Sequence, residues 1–115
     1  FIAGVSLSGL FALWASCQTH LFHGVASVSG SFWYDGFIEW FTEHRPEAEL
    51  FYLSLGEKEK ESKNPRLASV DSATKSIYGL LNTIGCQITF EYNAGNHFGP
   101  LIERIEKAIT ALYTL

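Results

Sequence analysis

The sequence predicts an α/β fold, a three-layer parallel sheet with helices on both faces, built from about four strands and four helices. Short apolar or β-branched runs alternate four times with longer segments whose apolar residues recur at helical spacing. Such alternation builds a parallel sheet, because each helix returns the chain to the start of the next strand. With 115 residues, 47% of them hydrophobic, the chain can bury one modest core, so we expect a single domain over residues 1–115.

The first strand is predicted at residues 1–3, an apolar run that is too short for a helix and that Gly4 ends. The next segment changes to helical spacing. Its buried face should consist of the apolar residues that recur every three or four positions: Leu7, Leu10, Phe11, Trp14, Cys17 and Leu21. We expect that helix to end at His23 and Gly24, with the glycine in a left-handed cap.

The middle of the chain predicts two more strands with a short helix between them. The second strand is "GVASVSG", a run of small and β-branched residues between two glycines. The short helix contains Phe37, Ile38 and Phe41, and Pro46 should terminate it. The third strand is "LFYLSLG". The charged run after it, "EKEKESK", is typical of a solvated loop.

The last part of the chain predicts a helix, a fourth strand and a final helix. Asn64 and Pro65 are typical of an N-cap followed by proline at the first helical position. The helix that they open should end at Gly85 and bury one face: Leu67, Val70, Thr74, Ile77, Leu81 and Ile84. The fourth strand is "CQITFEYN". The final helix should begin near Pro100 and direct four side chains inward: Leu101, Ile105, Ala108 and Leu112.

Ser6 lies at the predicted corner between the first strand and the first helix. The carboxyl ends of parallel strands form the functional edge of such a sheet, and a sharp turn there exposes a serine hydroxyl beside the amides of the helix. The corner needs small residues two positions before and after the serine, and Gly4 and Ser8 meet this need. Ser8 is a poorer candidate nucleophile, because Leu10 would then stand where a small residue is needed. The alternative is a Gly/Ser-rich turn that only connects strand and helix.

His97 and three glutamates follow the other strand ends. His97 follows the fourth strand, where an imidazole could act on Ser6 as a general base. Glu57, Glu59 and Glu61 follow the third strand, where a carboxylate could orient that imidazole. The order serine, acid, histidine on the ends of successive strands is harder to obtain by chance than any one of these signals.

Composition excludes several other classes of protein. The net charge of -4 comes from scattered glutamates and lysines, so we expect no nucleic-acid partner. No apolar run approaches the roughly 20 residues of a membrane span, so we predict a soluble, cytoplasmic protein with no membrane partner. Cys17 and Cys86 lack a C-x-x-C partner and are expected to be reduced, buried thiols.

The remaining histidines do not predict a site. His20 and His23 are expected in the last turn of the first helix, where the helix dipole favours them. Their H-x-x-H spacing could suit a metal ion, but no third ligand is near in sequence, so no metal site is predicted. His44 is expected at the surface.

Two aromatic residues and three serines surround the end of the second strand. Trp33 and Tyr34 could form an aromatic wall for a substrate, or they could belong to the packing of a helix on the sheet. The serines should satisfy local backbone groups in the strand and its turn: Ser27, Ser29 and Ser31.

Five segments together carry a family resemblance: "GVSLSGLFALWA", "VASVSGSFWY", "LFYLSLGEKE", "KNPRLASV" and "NAGNHF". They resemble the C-terminal half of an α/β-hydrolase of the esterase family that includes esterase D and enterochelin esterase. The resemblance covers essentially the whole chain, and the serine corner and the G-N-H-F loop are its most specific parts. It implies a serine hydrolase that acts on carboxylic esters and needs no metal or organic cofactor. A chain without methionine that begins at Phe1 inside a strand also fits a fragment, which would start at the strand of the serine corner.

The resemblance implies a role for each residue. In that family the acid commonly stands three positions after the glycine that ends its strand, which points from Gly56 to Glu59, with Glu57 as the second choice and Glu61 as the third. The amide of Leu7 would bind the oxyanion. The second oxyanion amide of the family comes from the loop after its third strand, which precedes the serine corner and is missing from this chain. The alternative is therefore an inactive fragment that serves as a structural or self-associating module.

The same resemblance predicts self-association. The first strand would be central in the full sheet of the family, so here it has an open edge, which a second copy could cover in a two-fold dimer. A flavodoxin-like ligand-binding domain is a weaker alternative, because no phosphate-binding loop would account for the serine corner.

Overall fold

The computed structural model describes residues 1–114 and is built around one sheet of four parallel strands. The strands lie side by side in chain order and have these bounds: β1 (Ile2–Val5), β2 (Gly24–Val28), β3 (Leu50–Gly56) and β4 (Gln87–Asn93). The predicted α/β class is therefore confirmed, and all four strands lie where their apolar runs predicted them. Parallel pairing brings the carboxyl ends of all four strands to one edge of the sheet.

Five α-helices surround the sheet, and a 3-10 turn, Glu59–Glu61, follows β3. The helices are α1 (Leu7–Ser16), α2 (Phe37–Thr42), α3 (Pro65–Ala68), α4 (Val70–Thr83) and α5 (Leu101–Thr114). Helices α1, α2 and α4 pack on one face of the sheet around Phe51 and Leu53, whereas α5 packs on the other face against Tyr52. Successive residues of a strand point to opposite faces, so β3 contributes to both cores. Full burial of such a side chain contributes about 1.5–3 kcal/mol.

Helix α1 is shorter than the sequence predicts. It ends at Ser16, whereas the apolar spacing predicted an end at His23 and Gly24. The Ser16 carbonyl accepts a hydrogen bond from the Glu47 amide at 2.8 Å, so a partner from another segment replaces the next turn of the helix. Gly24 consequently begins β2 and does not form a helix cap.

The buried face of α1 also differs from the predicted one. Its small side, which includes Gly9 and Ala12, lies on the sheet. A Cβ atom on Gly9 would lie 3.0 Å from the Gly30 Cα, so the helix and the β2 end approach too closely for large side chains. The large residues predicted as core are exposed instead, among them Leu7 (61%), Phe11 (55%), Trp14 (41%) and Leu21 (81%).

Helix α2 lies where it was predicted, whereas the single helix predicted between Pro65 and Gly85 is divided into two helices, α3 and α4. Helix α2 ends at Thr42, four residues before Pro46, because in a continued helix the proline could not donate to the Thr42 carbonyl and its ring would clash with it. Asn64 caps α3 by accepting the Arg66 amide at 3.0 Å, and Ser69 separates α3 from α4. Gly85, which has a φ of 84°, follows the end of α4, as predicted.

The final helix and the cysteines agree with expectation in part. Ala108 and Leu112 of α5 are buried, while Leu101 and Ile105 are half-buried. Cys17 and Cys86 are free thiols that are half-buried and not fully buried as predicted. Burial raises the pKa of the Cys17 thiol to about 11.

Within residues 1–114, none of the helices is long and apolar enough to cross a membrane.

Candidate active site

Ser6 occupies a strained corner between β1 and α1. Its backbone has φ 59° and ψ -121°, a conformation that non-glycine residues rarely adopt and that costs about 1–3 kcal/mol. A Cβ atom on Gly4 would lie 2.1 Å from the Ser8 carbonyl oxygen, so the residue two positions before the serine must be glycine. The backbone therefore has the sharp strand-to-helix turn that lifts a serine side chain off the edge of a sheet.

Ser8 fits the corner because its hydroxyl turns back to β1. It donates to the Val5 carbonyl at 2.7 Å and accepts from the Val5 amide at 2.8 Å. The Ser6 amide donates to the Val28 carbonyl of β2. Because the backbone groups of successive residues point to opposite sides of a strand, the amide and the carbonyl of Val5 point to the open side of β1. Ser8 thus replaces the expected glycine without a clash and satisfies two backbone groups of an edge strand.

The structure brings together Ser6, His97 and Glu59 in a chain of two hydrogen bonds. His97 Nε2 lies 2.9 Å from Ser6 Oγ, and His97 Nδ1 lies 2.8 Å from Glu59 Oε1. An ionised carboxylate only accepts hydrogen bonds, so in the neutral imidazole Nδ1 carries the ring proton and Nε2 is the acceptor for the Ser6 hydroxyl. This is the arrangement in which an imidazole can remove the serine proton.

Glu59 is buried, which corrects the prediction that the charged run after β3 is a solvated loop. Its side chain is 4% exposed in the 3-10 turn, and its Oε2 accepts hydrogen bonds from Ser29 Oγ and the Gly56 amide, each at 2.6 Å. Burial alone would raise the pKa of Glu59, but the hydrogen bonds from His97, Ser29 and Gly56 more than offset this and lower it. Glu59 is therefore an anion at neutral pH.

Within the described residues, the other two candidate acids are not part of the hydrogen-bonded chain. Glu57 and Glu61 are exposed, and within the described residues neither hydrogen-bonds to His97. The spacing within the run explains the difference, because the 3-10 turn directs only Glu59 toward the sheet.

Ser29 and Arg104 belong to the same cluster, and the sequence did not predict either of them there. Ser29 follows β2 with a φ of 51° and donates to Glu59 instead of bonding only to local backbone. Arg104 of α5 is 2% exposed and donates from Nη2 to Ser29 Oγ at 2.7 Å. The other two serines differ again, since Ser31 Oγ lies 3.4 Å from Ser6 Oγ, whereas Ser27 Oγ has no hydrogen-bond partner among the described residues.

A cavity of about 280 Å3 adjoins the cluster. Its wall includes His97, Phe98 and Trp33, so it lies on the imidazole side of the cluster. Trp33 also lies under the Arg66 guanidinium at 5.1 Å, which fixes its ring. Tyr34 is exposed and lines a separate groove of about 310 Å3 along α1. Of the predicted aromatic pair, only Trp33 lies beside His97.

The remaining histidines lie away from this cluster. His20 and His23 follow α1 and do not form its last turn as predicted, because the helix ends earlier. His20 Nδ1 lies 2.9 Å from Glu47 Oε1. His44 is exposed, as predicted, and stacks on Trp40 with ring centroids 4.0 Å apart.

The amide of Leu7 is the first of α1, and the first amides of a helix have no acceptor within it. It therefore lies next to Ser6 at the positive end of the helix, where a developing oxyanion would be stabilised.

No family model, curated protein or solved structure matches the chain.

Proposed function

We propose that the protein is a serine hydrolase that cleaves carboxylic esters, and that it belongs to the α/β-hydrolase esterases that its sequence resembles. The observation that carries the proposal is the hydrogen-bonded chain from Ser6 through His97 to the buried Glu59. The strained backbone of Ser6 supports it, because strain of this kind clusters at functional sites. The Leu7 amide supports it as an oxyanion donor beside the serine.

In the proposed reaction, Ser6 Oγ attacks the ester carbonyl while His97 Nε2 takes its proton. Glu59 holds the ring through Nδ1 and stabilises the imidazolium that forms. The Leu7 amide stabilises the tetrahedral oxyanion. His97 then gives its proton to the departing alcohol, and water, activated by the same imidazole, releases the acid from the acyl-serine. These steps use only side chains and backbone, so the proposal includes no cofactor.

Steady-state hydrolysis of p-nitrophenyl acetate tests this proposal. We expect turnover by the wild-type chain, and we expect Ser6→Ala to lower kcat by about a thousandfold or more, because the nucleophile is removed. Ser76→Ala is the matched control, since Ser76 is an exposed serine on α4 that bonds only to the Ser72 carbonyl. Equal turnover by wild type and Ser6→Ala would exclude Ser6 as the nucleophile.

A self-associating module, with or without catalysis, is the second candidate. Large apolar side chains cover the outer face of α1, among them Leu7, Phe11 and Trp14, and they line the 310 Å3 groove. Exposed apolar patches of this kind mark interaction surfaces. We propose that a second copy of the chain covers this face and the open side of β1. The Ser8 hydroxyl already hydrogen-bonds to the amide and the carbonyl of Val5, so these groups are not free to pair with another strand. Contacts between helices, rather than a long strand pairing, would therefore dominate the dimer.

We also propose the cytoplasm as the compartment of the protein. Two free cysteines are ordinary in a reducing compartment.

A further inference from the structure

Arg104 is a cation buried where the fold has no general need for one. It lies on α5, is 2% exposed, and reaches under the carboxyl ends of β2 and β3. Its neighbours at the same depth on the helix, Ala108 and Leu112, are apolar and pack on the sheet. Burial of a charged group is unfavourable unless the group is paired, so the partners of Arg104 indicate its purpose.

One of those partners, Ser29, connects Arg104 to the carboxylate of Glu59. Arg104 Nη2 donates to Ser29 Oγ at 2.7 Å and to Ser54 Oγ at 3.3 Å, and it lies 3.9 Å from Glu59 Oε2. Ser29 in turn donates to the same Oε2 at 2.6 Å. The Nε and Nη1 groups of Arg104 have no partner among residues 1–114. The guanidinium thus forms few of the hydrogen bonds that it could donate, and its charge lies beside the Glu59 carboxylate.

Resting on the proposed function, we propose that Arg104 is a positioning residue that tunes the base: its charge, 3.9 Å from Glu59 Oε2, limits how tightly the His97–Glu59 pair holds a proton. With Arg104 present, the positive charge of its guanidinium balances the negative charge of Glu59, so the pair has no net charge. A proton on His97 then adds a second positive charge to the cluster. Without Arg104, the carboxylate charge would be uncompensated, and the pair would bind a proton at higher pH.

The other ionisable groups around the cluster act less directly. Tyr52 of β3 faces Arg104 from the sheet, and its hydroxyl donates to Glu91 Oε2 at 2.5 Å. Lys58 and Glu61 line the cavity beside His97 and have opposite charges. Burial lowers the pKa of Arg104 and the charge of Glu59 opposes that change, but an arginine remains charged at neutral pH.

The test measures the pH at which the His97 imidazole takes up a proton, by proton–nitrogen NMR of the ring, in wild type and in variants. Arg104→Met and Arg104→Gln remove the charge, and we expect both to move the midpoint up by about one pH unit or more. Arg104→Lys keeps the charge and should restore most of the wild-type midpoint. Lys107→Met is the control, because Lys107 lies one turn further along α5 and pairs with Glu91 instead. It should leave the midpoint unchanged.

The acidic limb of the pH–rate profile for ester hydrolysis should move with the NMR midpoint. Neutral variants whose midpoint moves no more than that of Lys107→Met would overturn the proposal. So would an Arg104→Lys midpoint displaced as far as that of Arg104→Met. Neutral variants that do not fold, beside a folded Arg104→Lys, would show a structural role and would also overturn it. The NMR midpoint can be measured in a protein that has no catalytic activity. A chain that hydrolyses no ester would therefore refute the proposed function, but the effect of Arg104 on the midpoint could still be determined.

Discussion

At the scale of single residues, the candidate site depends on which charged side chains are buried. The run after β3 contains three glutamates, but only Glu59 is withdrawn from solvent and bonded to His97. Burial strengthens that interaction, because the hydrogen bond forms in a region of low dielectric constant. Neighbouring carboxylates of the same chemistry should therefore contribute very differently to catalysis.

Glu59→Gln should lower kcat for ester hydrolysis by about a thousandfold or more, because an amide neither fixes the required tautomer of His97 nor stabilises its cation. Glu57→Gln, two positions away and exposed, should change kcat by less than about twofold. Steady-state kinetics of both variants, with circular dichroism to verify folding, make the comparison. Similar losses in the two variants would show that Glu59 has no special role.

The sequence predicted Ser6, His97 and the acidic loop, because each follows a strand that has a clear apolar pattern. It did not predict Ser29 or Arg104. A buried arginine has no spacing signal of its own, and its position depends on how α5 packs across β2 and β3. The left-handed backbone of Ser29 likewise comes from tertiary contact, since its amide bonds to the Ser54 carbonyl at 2.7 Å.

At the scale of elements, the close approach of β1 and α1 builds the serine corner. A side chain at position 4 would overlap the backbone of the helix, so the geometry of the corner and the stability of the fold depend on the same glycine. The apolar spacing of α1 predicted a helix correctly but assigned the wrong face to the core. Periodicity shows that a helix has a large apolar side, and it does not show whether close packing will favour the small side instead.

Gly4→Ala should destabilise the protein by about 2–4 kcal/mol, because its Cβ would lie 2.1 Å from the Ser8 carbonyl oxygen. Gly79→Ala is the opposite case: Gly79 lies in α4 with nothing within 4 Å of an added Cβ, so this change should stabilise by about 0.5–1 kcal/mol. Urea unfolding followed by tryptophan fluorescence measures both. A Gly4→Ala variant as stable as wild type would contradict the corner geometry.

At the scale of the whole molecule, β1 and β4 are both edge strands of the sheet among the described residues, and the β1 edge adjoins α1. Among the described residues β1 has no strand on its outer side, and the outer face of the adjoining α1 is apolar. These features occur in one βα unit, the same unit that holds Ser6. Self-association through that unit would place two candidate sites close to the interface.

Phe11→Glu should weaken the proposed dimer at least tenfold, because it places a charge in the apolar face of α1. Ile102→Glu is the control, since Ile102 is 74% exposed on α5, on the other side of the sheet. Sedimentation velocity at several concentrations measures the dimer fraction. A wild-type chain that remains monomeric, or a Phe11→Glu chain that dimerises as well as wild type, would refute this interface.

A fluorophosphonate probe tests whether Ser6, His97 and Glu59 assemble into a working nucleophile. The probe phosphonylates an activated serine with loss of fluoride, and intact-mass spectrometry counts the adducts. We predict one adduct on the folded wild-type chain and none on Ser6→Ala or on the denatured chain. No adduct on the folded wild type, or the same adduct on Ser6→Ala, would contradict the account.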